Sequence, residues 1–180
     1  MLISGEKAQL LIVDVQESLT PVMEEPRKVI HGCVTLAVAA RRLGMPVVVS
    51  EQYPRGLGPT MVDLRGVIPE GSVVEKTAFS CAGEPAVLDR LRGNDRRQVI
   101  LAGIEAHVCV LQSAIGLREE GFEVFVVKDA CSSRRAESER AAHDRLSSVG
   151  IPLVTIEMAL FECLGGKNHP AFKDIQRLVK

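Results

Sequence analysis

Three side chains with different chemistry follow buried apolar runs in this sequence. Asp14 comes directly after the aliphatic residues of "QLLIV", Lys76 ends the run "SVVEK", and Cys109 lies shortly after the glycine that ends "QVILAG". A buried carboxylate or ammonium is unfavourable unless it has a partner of opposite charge or a hydrogen bond. Together the three side chains could provide an acid or base, a cation and a nucleophile, a combination suited to nucleophilic catalysis.

Each of these residues also has a structural explanation when it is considered alone. Asp14 and Lys76 are typical of caps or turns at strand ends, and free cysteines such as Cys109 are commonly buried for packing. The functional interpretation depends on all three meeting in space. Parallel strands bring their carboxyl ends to one edge of a sheet. The three side chains can therefore meet if each follows a strand of one parallel sheet.

The apolar pattern predicts those elements. Short runs rich in Val, Ile and Leu predict six strands buried on both faces, as in a parallel sheet, over residues 9–15, 46–51, 72–76, 98–103, 123–127 and 152–156. Apolar spacing of three and four predicts helices over 26–43, 84–92, 107–120 and 136–149, and helix-stopping glycines follow three of them at Gly44, Gly121 and Gly150. Repeated strand–helix units predict one Rossmann-like, doubly wound, three-layer α/β/α domain over residues 1–180.

On these elements, Cys109 falls in the first turn of the helix after the fourth strand. Unpaired N–H groups and the helix dipole favour an anion there, which predicts a depressed pKa for the thiol. Residues 52–71, rich in Pro and Gly, predict a long ordered loop at the same edge, where open α/β sheets bind ligands. Their positions near the strand ends make four residues candidates for a substrate pocket: Gln16, Gln52, Tyr53 and Phe79.

Composition disfavours several other classes of function. The formal net charge is -1 and aromatic residues make up 3% of the chain, so we expect no nucleic-acid partner. Five scattered cysteines without zinc-ligand spacing predict reduced thiols and a cytoplasmic location. No apolar run has the length of a membrane span, so no membrane partner is expected.

The motifs "LLIVDVQ", "EKTAFS" and "AGIEAHVCV" resemble, in this order, those of the isochorismatase-like (cysteine hydrolase) superfamily. The segments "SEQYPRGLGPT" and "HPAFKDIQRLVK" are similar to its isochorismatase-domain proteins of undetermined substrate. The resemblance extends over nearly the whole chain. It implies the isochorismatase-like hydrolase fold, with six parallel strands in the order 3-2-1-4-5-6. It also implies a catalytic triad of Asp14, Lys76 and Cys109, in which Asp14 accepts the thiol proton and later returns it to a leaving amine.

Further features follow from the resemblance alone. It implies a non-proline cis peptide bond between Ile104 and Glu105, with backbone N–H groups of Glu105 or Ala106 and of Cys109 facing a developing oxyanion. It also implies a homo-oligomer, a dimer or larger. The loop "YPRGLGPT" and the apolar stretch "IEMALFECL" are the expected contact surfaces.

Two departures from the family narrow the expected chemistry. Metal-binding relatives carry an Asp-x-His motif after the second strand, where this chain has Glu51 and Tyr53. We therefore expect no metal and no cofactor. Relatives that cleave a vinyl ether generally lack the cysteine. Its presence favours hydrolysis of a C–N bond in a small-molecule substrate, through a Cys109 thioester.

Two other functions are compatible with the sequence. One is a catalytically silent oligomeric scaffold or binding protein with the same fold. The other is a thiol-redox protein, in which Cys131 or Cys81 would resolve an oxidised Cys109 if it lay close in space.

Overall fold

The computed structural model describes residues 1–180 and contains one six-stranded sheet. All neighbouring strands pair in parallel, and their order is β3-β2-β1-β4-β5-β6. This confirms the predicted fold class and strand order. The strands are β1 (Ala8–Val13), β2 (Val47–Gln52), β3 (Val73–Lys76), β4 (Gln98–Ile104), β5 (Glu123–Ser132) and β6 (Leu153–Val154).

Eight α-helices connect and cover the strands. None of them combines the length and the hydrophobicity that crossing a membrane requires. Gly44, Gly121 and Gly150 follow three of the helices with φ values of 63°, 89° and 78°, as the sequence predicted for helix-stopping glycines. The helices are α1 (Pro26–Arg42), α2 (Pro54–Leu57), α3 (Val62–Arg65), α4 (Pro85–Gly93), α5 (Leu111–Glu119), α6 (Ala136–Ser148), α7 (Ile156–Leu164) and α8 (Phe172–Leu178).

Two hydrophobic cores lie on opposite faces of the sheet. Leu10 and Ile12 of β1 belong to the core formed with α1, α7 and α8. Leu11 and Val13 belong to the core formed with α4, α5 and α6. Burying a large aliphatic side chain contributes about 1.5–3 kcal/mol. Because both faces are covered, the strands have continuous apolar sequences rather than alternating ones.

Some elements differ from the sequence prediction. Strand β5 extends to Ser132, five residues beyond its predicted end at 127, because Lys128 and Asp129 interrupt the apolar run without ending the strand. Helix α7 was not predicted, since its sequence is mostly apolar and has no clear helical stripe. The Thr155 hydroxyl caps it by accepting the Met158 N–H at 3.2 Å.

The segment between β2 and β3 is ordered by contacts with the chain after β1. It contains the short helices α2 and α3, which the sequence did not predict. Gln16 forms an antiparallel bridge with Thr60, and its Nε2 donates to the Gly58 carbonyl at 2.7 Å. This segment therefore forms part of the carboxyl edge of the sheet.

Candidate active site

Asp14 is the first residue after β1 and has an uncommon backbone conformation. Its φ is 52°, in the left-handed region that aspartate tolerates better than most residues. The adjacent strand β4 approaches closely, because a Cβ added at Gly103 would overlap the carbonyl oxygen of Val13. The Asp14 N–H donates to the Ser50 carbonyl on β2 at 3.1 Å. Neighbouring strands therefore fix the direction of this carboxylate.

Lys76 ends β3 and reaches Asp14 across the sheet. Its Nζ lies 2.8 Å from Asp14 Oδ2, and both side chains are fully buried. Nζ also donates to Gln52 Oε1 at 2.6 Å and lies 3.0 and 3.1 Å from the carbonyl oxygens of Ala78 and Phe79. An ammonium has three protons, so the protein itself uses all of them. Lys76 is therefore an electrostatic partner of Asp14 with no proton left for a ligand.

The two oxygens of Asp14 have different surroundings. Oδ1 accepts a hydrogen bond from Ser50 Oγ at 2.7 Å. Oδ2 faces the ammonium of Lys76 in the ion pair. Burial raises the pKa of Asp14 above its ordinary value, and the contacts with Lys76 and Ser50 oppose this effect. Sequence reasoning missed Ser50, whose only signal is a hydroxyl inside the apolar run of β2.

Cys109 lies in a π-helical turn, Ala106–Val110, which precedes α5. It is 7% exposed. Burial raises the pKa of its thiol, and the negative charge of Asp14 raises it further, against a smaller opposing effect of Lys76. The predicted depression of this pKa is wrong, because the sequence indicates the helix end but neither the burial nor the carboxylate beside it. Cys109 therefore rests as a thiol and needs a base when it reacts.

The other four cysteines are also free and buried. Cys81 is the one beside the site, with its Sγ 3.6 Å from Ser50 Oγ. Cys131 lies on β5 opposite Gly103, and burial raises its pKa to about 12. Burial likewise raises the pKa of Cys163 to about 12, and that of Cys33 is also raised by burial.

The four predicted pocket residues fall into two groups. The amides of Gln16 and Gln52 are used within the protein. Gln16 bonds the backbone of Gln52 in both directions, and Gln52 joins Lys76 to the Thr77 carbonyl. Tyr53 and Phe79 are each 56% exposed. The two glutamines therefore support the site through hydrogen bonds within the protein, and the two aromatic side chains are accessible to a ligand.

The turn before Cys109 contains the other predicted site residues. The peptide bond between Ile104 and Glu105 is cis. Ile104 and Ala106 are fully buried. Glu105 Oε2 accepts from Arg134 Nε at 3.0 Å and from the Arg134 N–H at 3.2 Å, so its charge is balanced. His107 Nδ1 lies 2.9 Å from Ser133 Oγ.

Glu51 has a structural role at the position where metal-binding relatives carry their motif. Its Oε1 accepts hydrogen bonds from the Thr60 N–H at 2.6 Å and the Thr60 hydroxyl at 2.7 Å. No group of three or more His, Cys, Asp or Glu side chains converges as a metal site would require. Glu51 therefore anchors the segment between β2 and β3.

Comparisons with known proteins identify relatives over most of the chain. The family model "Isochorismatase domain" matches residues 8–158. Isochorismatase domain-containing protein 1 of Salmo salar is 42% identical over 171 residues, which are 93% of this chain and 59% of that relative. The structure of the MAR1 ribonuclease from Caenorhabditis elegans has a TM-score of 0.93 at 37% identity, covering 99% of this chain and 92% of that one.

A more distant structure has the same fold. The YcaC gene product of Escherichia coli, called an octameric hydrolase of unknown specificity, has a TM-score of 0.87 at 24% identity. The match covers 99% of this chain and 95% of that one.

Proposed function

This chain belongs to the isochorismatase family and has its hydrolase fold, and we propose that it is a metal-free cysteine hydrolase cleaving a C–N bond of a small-molecule amide. One observation carries the proposal. The carboxylate of Asp14 is held between Lys76 and Ser50 and interacts with the Cys109 thiol. A base is therefore fixed beside a thiol that must lose its proton to react.

Acylation begins with attack of Cys109 Sγ on the amide carbonyl carbon. The thiol proton passes to Asp14, and the carbonyl electron pair moves to oxygen. Backbone N–H groups of Cys109 and of Glu105 or Ala106 stabilise that oxygen. When the C=O bond re-forms, the C–N bond breaks and Asp14 gives its proton to the departing nitrogen. The products are a free amine or ammonia and a thioester on Cys109.

Deacylation repeats the same proton transfers with water. Asp14 takes a proton from the attacking water, and the C–S bond then breaks. Asp14 returns the proton to the departing sulfur, which releases a carboxylic acid and restores the resting thiol. Throughout the cycle Lys76 favours the ionised form of Asp14, because opposite charges in contact stabilise each other.

The low exposure of Cys109 supports a small substrate. Cys109 is only 7% exposed, whereas Tyr53 and Phe79 are exposed near the strand ends. We therefore propose a compact acyl group, with Tyr53 and Phe79 as candidates for contacts to the rest of the substrate. The name of the Caenorhabditis elegans relative raises RNA as an alternative. The net charge of -1 and the buried thiol support an amide instead.

A substrate panel tests this proposal. It contains small primary amides, carbamoyl amino acids and nitrogen-ring carboxamides, assayed for ammonia release, with a single-stranded RNA assayed for cleavage in parallel. We expect at least one amide to release ammonia and the RNA to stay intact. Cleavage of RNA without ammonia release from any amide would contradict the proposal.

The two alternatives have less support. A scaffold has no need of a buried ion pair beside a thiol, since such pairs rarely add stability. A thiol-redox role would need Cys81 or Cys131 to resolve an oxidised Cys109. All three thiols are buried, which disfavours their reaction with an oxidant.

We also propose a cytoplasmic location, which the five free cysteines support.

We further expect a homo-oligomer in solution. Met158 and Phe161 of α7 are 47% and 39% exposed, and Tyr53 in the loop after β2 is also exposed. Met158 and Phe161 are three positions apart on α7 and so adjacent on its surface. Contiguous exposed apolar side chains are typical of contact surfaces. Small-angle scattering at micromolar concentration should give at least twice the chain mass of 19.5 kDa. A monomer mass would contradict this prediction.

A further inference from the structure

We propose that Ser50 is a positioning residue for Asp14, whose hydroxyl binds Oδ1 and so holds the carboxylate, in its ionised form, ready for the proton of Cys109. This inference rests on the proposed function, because it assigns a residue that orients the general base of the reaction. Ser50 contributes no atom to the reaction. It acts through the carboxylate.

The direction of the hydrogen bonds follows from the protons available. An ionised carboxylate has no proton, so the 2.7 Å contact requires Ser50 Oγ to donate to Asp14 Oδ1. A serine hydroxyl has a single proton, so its oxygen can only accept from the Cys81 thiol, 3.6 Å away. The bonds therefore run in one direction, from Cys81 through Ser50 to Asp14. All three residues are fully buried, so solvent does not compete with this order.

The carboxylate of Asp14 is held from two sides. Ser50 donates to Oδ1, and the Lys76 ammonium lies 2.8 Å from Oδ2. Each carboxylate oxygen has two lone pairs, so these contacts leave capacity for the proton of Cys109. Ser50 therefore orients the carboxylate and stabilises its ionised form without blocking proton transfer.

Ser50 also fixes the backbone that carries the carboxylate. In the sheet it pairs with Val13, the residue before Asp14, and its carbonyl accepts the Asp14 N–H at 3.1 Å. One residue thus holds Asp14 at two points, through its main chain and through its side chain. The main-chain contact survives substitution, so a variant separates the two.

Replacing Ser50 by Ala removes a hydrogen bond to the charged form of Asp14. The titration midpoint of Asp14 should rise by about one pH unit, because such a bond stabilises the carboxylate over the protonated acid. With an amide identified by the panel, kcat should fall and its acid limb should move to higher pH, while KM stays unchanged. Ser50→Thr keeps the hydroxyl, so its kcat and the pH of its acid limb should match those of the wild type.

The experiment is a carbon-detected NMR titration of the carboxyl groups in the full chain. The resonance that disappears in Asp14→Asn identifies Asp14. Ser72→Ala is the matched control, because Ser72 is also buried but its hydroxyl bonds the Pro69 carbonyl. Ser50→Cys offers only a weak donor and is titrated beside Ser50→Ala. If one of these variants does not fold, the other still gives the titration midpoint of Asp14.

A raised Asp14 midpoint in the Ser50 variants, with no change in Ser72→Ala, supports the proposal. An unchanged midpoint, or an equal rise in Ser72→Ala, overturns it. The titration needs no substrate. Failure of the amide panel therefore overturns the hydrolase function, whereas an unchanged midpoint with intact amide turnover overturns only the role of Ser50.

Discussion

Replacing Cys109 by Ala is expected to reduce amide turnover by about 10⁴-fold or more, as removal of a catalytic nucleophile does in other hydrolases. The physical reason is that the thioester has no other place to form. Cys81, beside the site, donates a hydrogen bond to Ser50, and Ser50 donates one to Asp14. Initial rates of ammonia release, compared at equal protein concentration, measure the loss.

Cys163→Ala provides the matched control for this substitution. Cys163 and Cys109 are each 7% exposed, so each variant removes one thiol from an equally buried position. Cys163 lies in α7 and belongs to the other hydrophobic core. Turnover in Cys163→Ala should match the wild type. Comparable turnover in the two variants would show that Cys109 is a packing residue.

Replacing Lys76 by Met is expected to lower the free energy of unfolding by about 3–5 kcal/mol, as breaking a buried ion pair from one side does. The change leaves Asp14 fully buried without its cation. The pKa of Asp14, already raised by burial, then rises further. Urea denaturation at neutral pH measures the loss, and turnover should fall with it because Asp14 loses its ionised form.

The loss of stability should depend on pH in a defined direction. The folded variant binds a proton at Asp14 that the unfolded chain, near the ordinary value of 3.8, has already released. Folding is therefore favoured below that value, and this contribution is lost as pH rises through the folded pKa. Lys76→Met should come closer to the wild type in stability at mildly acidic pH than at neutral pH.

A double variant separates charge from packing. Asp14→Asn combined with Lys76→Met removes both charges, so no unpaired charge stays buried, and it should regain most of the lost stability. If Lys76→Met alone is as stable as the wild type, the ion pair contributes nothing to the free energy of unfolding. If the double variant is no more stable than Lys76→Met, the loss reflects packing.

The sequence was sufficient to predict where the main chemical groups lie. Asp14 and Lys76 are at strand ends, and parallel strands bring such ends to one edge whatever the details of packing. The strand order and the cis peptide bond at Ile104 came only from the resemblance to the family. The comparisons confirm that family.

The contacts between side chains were not predictable in the same way. Ser50 and Cys81 are far apart in sequence and meet only because the short 3-10 turn Cys81–Gly83 contacts both β2 and α5. The sign of the Cys109 pKa shift depends on burial, which a helix position does not reveal. Gln16 and Gln52 were correctly assigned to the neighbourhood of the strand ends, but their hydrogen-bond partners are set by the folded loop.

The central claim is that Cys109 carries the acyl group during turnover. The most direct test is to quench the wild-type chain in acid during hydrolysis of an amide from the panel and map its peptides by mass spectrometry. We predict the mass of the acyl group on the peptide that contains Cys109, in a linkage that neutral hydroxylamine cleaves, as it does thioesters. Ammonia release without an acyl group on Cys109, or with one on another residue, would contradict the account.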